Sequence, residues 1–269
     1  MNRLSLPPHC AVALARLADL IDLSAVPATL RIPADLFSLQ QSMLDAVDRA
    51  GFVVLEQLPD SRNETLMALM LLLGRPVHEA KAGPMIMDLK PAPHDASLNT
   101  TSYYSWNNFD FHTDLSFAAE PPDLVAMLCV QSDARREGLS LLADARACLA
   151  GLSESILAEL QRPQFTFSAP AHYRGETLPQ RPILTRNLSG GFDIRVRFDK
   201  LTTESASAKQ ALRELYDALD ACKQVFLLEK NSVCVTDNRR LVHGRTAFTP
   251  SFDAHDRHLK RIYGMRHPG

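Results

Sequence analysis

The pair His112-Thr113-Asp114 and the distant His243 limit what this chain can fold into more than any other feature. In a strand, side chains two apart project from one face, so the His112 imidazole and the Asp114 carboxylate can converge on a single ion. A His-x-Asp pair is common by chance, and so is a lone histidine. Together, however, two imidazoles and one carboxylate form a facial set that leaves three positions of an octahedral cation open. A fold that uses them must lay a late strand beside an early one, as a double-stranded jelly roll does.

The rest of the chain accommodates such a core. With 269 residues, 46% of them hydrophobic, it is long enough to bury a large interior, and we expect a single domain over residues 1–269. Twenty-nine basic residues against thirty-one acidic ones leave a net charge of −2, so no nucleic-acid-binding surface is indicated and a small-molecule partner is expected. Pro7 and Pro8 interrupt the first residues before any apolar stretch of signal-peptide length, and no export is expected. The longest apolar run, residues 66–73, is too short to cross a membrane and reads as a buried helix ended by Gly74. Cys10, Cys129, Cys148, Cys222 and Cys234 are an odd number with no C-x-x-C spacing, and they read as free thiols of a cytoplasmic protein.

Along the chain, Leu36, Leu39, Met43, Leu44 and Val47 predict an amphipathic helix opened by Pro33-Ala34-Asp35 and closed by Gly51. A strand over 52–55 follows, then a second helix capped by Asp60-Ser61. We expect residues 1–80 to be a scaffold of helices and a strand packed on the jelly roll. From about residue 85 the pattern becomes strand-like, with runs at 124–130, 139–143, 165–167, 183–185, 194–198, 225–228 and 233–236, separated by Pro, Gly, Asp and Asn. These predict a sandwich or barrel, an α+β fold with flanking helices, one of them long and spanning roughly 204–223.

Past His243 the chain runs Asp256-Arg257-His258-Leu259-Lys260-Arg261. If this is a strand, Arg257 and Arg261 share a face and can both point at the metal cavity, where a guanidinium offers a planar fork for a carboxylate. A solvated basic edge strand is the alternative, and composition alone favours it.

Four segments carry a family resemblance: His112-Thr113-Asp114; Glu137-Gly138-Leu139-Ser140; Asp237-Asn238-Arg239-Arg240-Leu241-Val242-His243-Gly244-Arg245; and Arg257 to Arg261. They resemble the taurine dioxygenase superfamily of iron(II)/2-oxoglutarate oxygenases, in the flavour of its clavaminate-synthase-like branch of amino-acid hydroxylases. The resemblance runs from about Phe52 to the C-terminus. It implies that His112, Asp114 and His243 are the catalytic iron ligands, with 2-oxoglutarate and O2 as co-substrates. It makes Arg257 the anchor of the distal 2-oxoglutarate carboxylate, with the Ser140 hydroxyl in support. Arg261 falls at a position that in some members approaches a substrate carboxylate, and Asp110 and Asp199 are internal acids that could pair with it instead.

Two departures stand out. Glu137 replaces the first of two glycines often found before the hydroxyl residue, and Asp114 stands where several amino-acid hydroxylases have Glu. A carboxylate at 114 also argues for oxygen transfer rather than the halogenation of relatives with a small residue there. The polar stretch 98–108 precedes the metal pair where relatives keep a substrate-contacting loop, and it suits a zwitterionic amino acid, free or tethered to a carrier protein. Arg195 and Arg197 fall near the expected cavity, as binding groups or as partners of surface acids. Desaturation and cyclisation use the same triad as hydroxylation. Zinc hydrolysis is the competing chemistry, and it leaves the arginines at 257 and 261 without a role. A non-catalytic metal-dependent sensor would leave the anion anchor equally idle.

Overall fold

A computed structural model describes residues 2–25, 31–78, 84–92, 104–169 and 177–267. In chain order the first elements are β1 (Arg3–Ser5), α1 (Pro8–Asp19), α2 (Phe37–Ala50), β2 (Phe52–Glu56), α3 (Asn63–Leu73), β3 (Gly74–Val77) and β4 (Ile86–Leu89). Next come β5 (Phe109–His112), β6 (Leu124–Gln131), β7 (Ser140–Asp144), α4 (Ala145–Leu149), α5 (Glu154–Leu160), β8 (Phe165–Ser168), β9 (Thr177–Arg181), β10 (Leu184–Arg186) and β11 (Phe192–Ile194). The chain closes with β12 (Leu201–Thr202), α6 (Ala206–Cys222), β13 (Gln224–Phe226), β14 (Val233–Asp237), β15 (Leu241–Arg245) and β16 (His258–Arg266).

A mixed α/β architecture results. The larger sheet runs β1-β2-β14-β6-β16-β3, with β4 also on β16, and the smaller one runs β13-β7-β15-β5. The alternation of side chains explains how they assemble. Val53 and Leu55 of β2 turn outward with Val233 and Val235 into the layer formed by the first three helices, while Phe52 and Val54 turn inward to meet Leu142, Phe226 and Leu241 of the smaller sheet. Both faces of the larger sheet are therefore buried, which is why β2 is apolar without alternation. Across the smaller sheet, α6 packs Ala208, Ala211, Leu215 and Leu219 into the cluster that holds Ala143 and Val242. The run 66–73 is buried on every side of α3, and among the described residues no helix is long and apolar enough to cross a membrane.

Pro8 begins α1, where a proline at the first helical position lacks only an N–H that would be unpaired anyway. Three expectations need correction. The second helix starts at Asn63 with no side-chain cap; Asp60 instead accepts from the Arg62 amide (3.0 Å) and the Thr65 hydroxyl (2.5 Å). The expected strand at 194–198 ends at Ile194 in β11. Beyond it the chain docks on the end of β5, with the Thr113 amide donating to the Val196 carbonyl at 2.8 Å. Finally, Cys148 and Cys222 form a disulfide with Cα atoms 6.3 Å apart, leaving Cys10, Cys129 and Cys234 free and buried. They are remote in sequence but adjacent where α4 meets α6, and the argument from free thiols to a cytoplasmic location loses its premise.

The smaller sheet depends on one close approach. A Cβ on Gly244 of β15 would lie 2.7 Å from the Phe109 carbonyl oxygen of β5. Gly244→Ala should force these strands apart, costing roughly 1–3 kcal/mol as other overpacked sites do. Thermal unfolding should show a midpoint lowered by several degrees, and an unchanged midpoint would show that the sheet can relax around the methyl group.

Candidate metal centre and its cavity

β15 pairs antiparallel with β5 so that His243 lies directly opposite His112. Their imidazoles therefore stand side by side, ring centroids 4.2 Å apart, and Phe109 stacks on the outer face of His112 at 3.9 Å. The third member arrives differently from the sequence expectation. β5 ends at His112, and Asp114 sits in the turn beyond it, before Leu115 with φ 51°. Asn238, in the turn joining β14 to β15, pins that turn. Its Oδ1 accepts from the Asp114 amide at 2.8 Å, and its Nδ2 donates to the carbonyls of Asp114 and Pro122, both at 3.0 Å.

The donor atoms of His112, Asp114 and His243 all lie within 4.8 Å of one another, and all three residues are buried. Asp114 Oδ1 is 3.7 Å from His112 Nε2, and Oδ2 is 3.6 Å from His243 Nε2. These gaps exceed hydrogen-bonding distance. Nδ1 of His112 lies 2.8 Å from the Asp110 carbonyl, which can only accept; the proton therefore sits on Nδ1 and the Nε2 lone pair faces the group. Burial and the neighbouring His243 hold the His112 pKa well below its ordinary value; burial also lowers that of His243. Burial disfavours an ionised Asp114, but Arg261 and the two imidazoles outweigh it and hold the carboxyl below the usual range. Asp114 Oδ2 is buried with no hydrogen-bond partner. A buried carboxylate facing two neutral imidazoles, with an orphaned oxygen, is costly unless a cation completes it. The donor set suits a divalent metal with open positions.

A cavity between the sheets starts at the two histidines, is walled by apolar residues including Met127 and Leu259, and reaches Ser140, Arg245 and Arg257. Ser140, at the start of β7, pairs in register with Arg245. Arg257 immediately precedes β16, and its stem passes Gly138, whose φ is +62° and whose Cβ would meet Arg257 Cδ at 2.8 Å. Only glycine fits there. Burial pushes Arg257 down to about 10, and it has no salt bridge among the described residues. Arg261 also lines the cavity, but its carboxylate partner is neither expected candidate: Nη1 is 3.4 Å from Asp114 Oδ1. Asp199 pairs with Arg197 at 2.9 Å, and Asp110 accepts from Tyr216 at 3.5 Å.

The remaining arginines divide. Arg195 donates to the carbonyls of Ser116, Ala118 and Ala119 and secures a turn. Arg197 lies over the Phe109 ring, 5.4 Å from its centroid, outside the cavity. Of the polar stretch 98–108, residues 98–103 lie outside the described residues. Glu137, the departure before Ser140, has its own task, since its Oε2 accepts from the Thr249 amide at 2.7 Å. Sequence reasoning missed Asn238 and Arg245. The first was read only as turn chemistry, and the second lies two residues after His243, a spacing that carries it to the same strand face.

These features bring together two imidazoles and one carboxylate that could hold one metal ion, set between two sheets beside a cavity that also reaches Arg245 and Arg257. The chain belongs to the family described as taurine catabolism dioxygenase TauD, TfdA, whose sequence model matches residues 22–263. It is 31% identical over 187 residues to the L-asparagine oxygenase of Streptomyces coelicolor, covering 68% of this chain and 55% of that protein. Identity to the L-lysine 3-hydroxylase of Catenulispora acidiphila is 30% over 202 residues, covering 71% of this chain and 55% of that protein. The matched part thus spans about half the length of these relatives. A crystal structure of asparagine oxygenase with Fe(II), (2S,3S)-3-hydroxyasparagine and succinate superimposes with a TM-score of 0.79 at 24% identity, covering 98% of this chain and 94% of the other.

Asn238→Ala removes the side chain that holds Asp114 in place. We expect divalent-cation affinity, measured by calorimetry on the folded variant, to fall roughly 10–100-fold, as is typical when a residue supporting a metal ligand is lost. Wild-type affinity would mean that the turn at Asp114 holds itself.

Proposed function

We propose that this protein is an iron(II)- and 2-oxoglutarate-dependent dioxygenase that hydroxylates an unactivated C–H bond of an amino acid or a compound derived from one. The observation that carries the reading is Arg257, a half-buried guanidinium without a salt bridge among the described residues, which lines the same cavity as His112 and His243 of the candidate metal group. Such a cation needs an anion, and a dicarboxylate that also reaches the metal meets both requirements. Family membership supports the same chemistry. The two facing sheets are then the jelly roll, and residues 1–80 its scaffold within one domain.

In this reading His112, Asp114 and His243 hold iron(II), which activates O2 while 2-oxoglutarate is oxidised to succinate and CO2. The protein's own task is placement. Arg257 grips the distal carboxylate of 2-oxoglutarate as a two-point fork, and the Ser140 hydroxyl donates one more hydrogen bond. Arg261 keeps Asp114 ionised and faces the carboxylates of substrate or co-substrate from the metal end. The apolar wall keeps water from the reacting C–H bond. The names of the asparagine and lysine relatives support a free α-amino-acid head over a carrier-tethered one, and hydroxylation over desaturation or cyclisation. A zinc hydrolase would have no use for Arg257.

The decisive assay is succinate release from iron-loaded protein across a panel of amino acids and related amines, with product mass read for one added oxygen atom. Absence of 2-oxoglutarate consumption in the presence of iron and O2 would overturn the reading. His112→Ala or His243→Ala should abolish turnover while the fold persists, because each deletes a metal ligand from a cavity already formed by the sheets. Arg257→Ala should weaken 2-oxoglutarate binding by roughly thirty- to a hundred-fold, the equivalent of a lost charge-assisted bond of about 2–3 kcal/mol. Ser140→Ala should cost only about 1 kcal/mol, a single neutral-donor hydrogen bond. Unaltered 2-oxoglutarate affinity in Arg257→Ala would move the co-substrate elsewhere.

A further inference from the structure

Arg245 occupies an unusual position between two parts of the site. It ends β15 two residues after His243 and pairs in register with Ser140. Its residue exposure is 7%, and Nε is buried without a hydrogen-bond partner. Another edge of the same guanidinium is fully engaged: Nη2 donates to the carbonyls of Ser105 at 2.6 Å and Asn107 at 2.7 Å. The segment so held is tied to the strand's continuation twice more, by Phe248 N to the Trp106 carbonyl (2.9 Å) and Ala247 N to Asn108 Oδ1 (2.7 Å). It then runs directly into β5, which carries Phe109 and His112.

Arg245 is also close to Arg257. The Phe248 ring lies under the Arg245 guanidinium, 4.9 Å from centroid to Cζ, and a Cβ on Gly138 would touch both Phe248 and the Arg257 stem. Burial, reinforced by Arg257, pushes Arg245 down to about 9. Among the described residues Arg245 has no salt bridge. Asp133 acts on Arg257 but is not among the groups acting on Arg245, so of the two like charges Arg245 is the one that gains most from an anion in the cavity.

We propose that Arg245 is a positioning residue that links the two ligands of the site: the carboxylate held by Arg257 also engages Arg245, and the guanidinium so fixed sets the segment 104–108 that leads to the metal. This rests on the reading of Arg257 as the 2-oxoglutarate anchor. It deepens that reading by making co-substrate binding tighten a segment that these four hydrogen bonds already tie to β15 and its continuation. Nε–H and Nη2–H belong to one planar group, so a carboxylate on Nε and the carbonyls on Nη2 are held in fixed relation.

The chain's single tryptophan, Trp106, lies in that segment and reports on it directly. The experiment titrates 2-oxoglutarate into anaerobic, iron-loaded protein, following binding by calorimetry and Trp106 emission in parallel. In the wild-type protein the emission should change with the calorimetric midpoint. In Arg245→Met, 2-oxoglutarate should bind about tenfold more weakly and the emission response at saturation should be lost. Arg245→Lys, which restores the charge but not the fork, should recover part of the affinity and little of the response. Saturating 2-oxoglutarate with no emission change in the wild-type protein would overturn the proposal without any variant. So would an Arg245→Met protein that keeps either its affinity or its Trp106 response. Failure of the underlying reading looks different, since 2-oxoglutarate would then bind Arg257→Ala as tightly as wild type.

Discussion

The cross-strand rung between His112 and His243 is the contact on which the site depends. Two imidazoles meet at 4.2 Å because β5 and β15 are antiparallel neighbours in register, and the strands come that close because Gly244 presents no side chain to the Phe109 carbonyl. The backing is equally rigid. Val242 faces the opposite way from His243 and joins the cluster held by α6, so a slip of β15 by one residue would exchange a ligand for a core side chain. Packing of an ordinary hydrophobic layer thus fixes the geometry of the candidate site.

Charge governs what the rung can do. Around the cavity stand Arg245, Arg257 and Arg261, with the buried Asp114 carboxylate facing Arg261 and the buried Asp133 acting on Arg257. A cavity lined by three guanidinium groups favours anionic ligands over neutral ones. A dicarboxylate spanning from the metal to Arg257 supplies two negative groups, and an amino-acid carboxylate would supply another. The same accounting disfavours a neutral hydrocarbon substrate bound alone.

Much of this was legible in the sequence because it rests on local periodicity. The helix through Leu39, Met43 and Val47, the all-apolar β2, and the strands carrying His243 and Arg261 each announce themselves by spacing. The group of His112, Asp114 and His243 was legible because two histidines and an aspartate suit one chemical use in combination. What was hidden depends on tertiary neighbours. Asp114 was expected on a strand, whereas a turn presents it under the grip of Asn238, more than a hundred positions away. The partner of Arg261 was sought in Asp110 or Asp199, yet among the described residues the carboxylate facing it is Asp114, a member of the candidate metal group. Cys148 and Cys222 carry no spacing signal, since only the packing of α4 on α6 brings them together.

The division between what is legible and what is hidden follows a division in the protein. His112 and His243 sit on sheet strands and Arg257 immediately precedes one, so their positions follow from register. The surface facing a substrate is built from connecting segments, and these are held by individual side chains: Arg245 on Ser105 and Asn107, Glu137 on Thr249, Asn238 on Asp114. Each latch is one residue acting on backbone groups, so it fixes the path of a segment without dictating the side chains displayed along it. In the proposed reading, the chemistry stays with the strands while the displayed side chains set what is recognised. A change of substrate on this scaffold needs new residues between the latches and no movement of the rung.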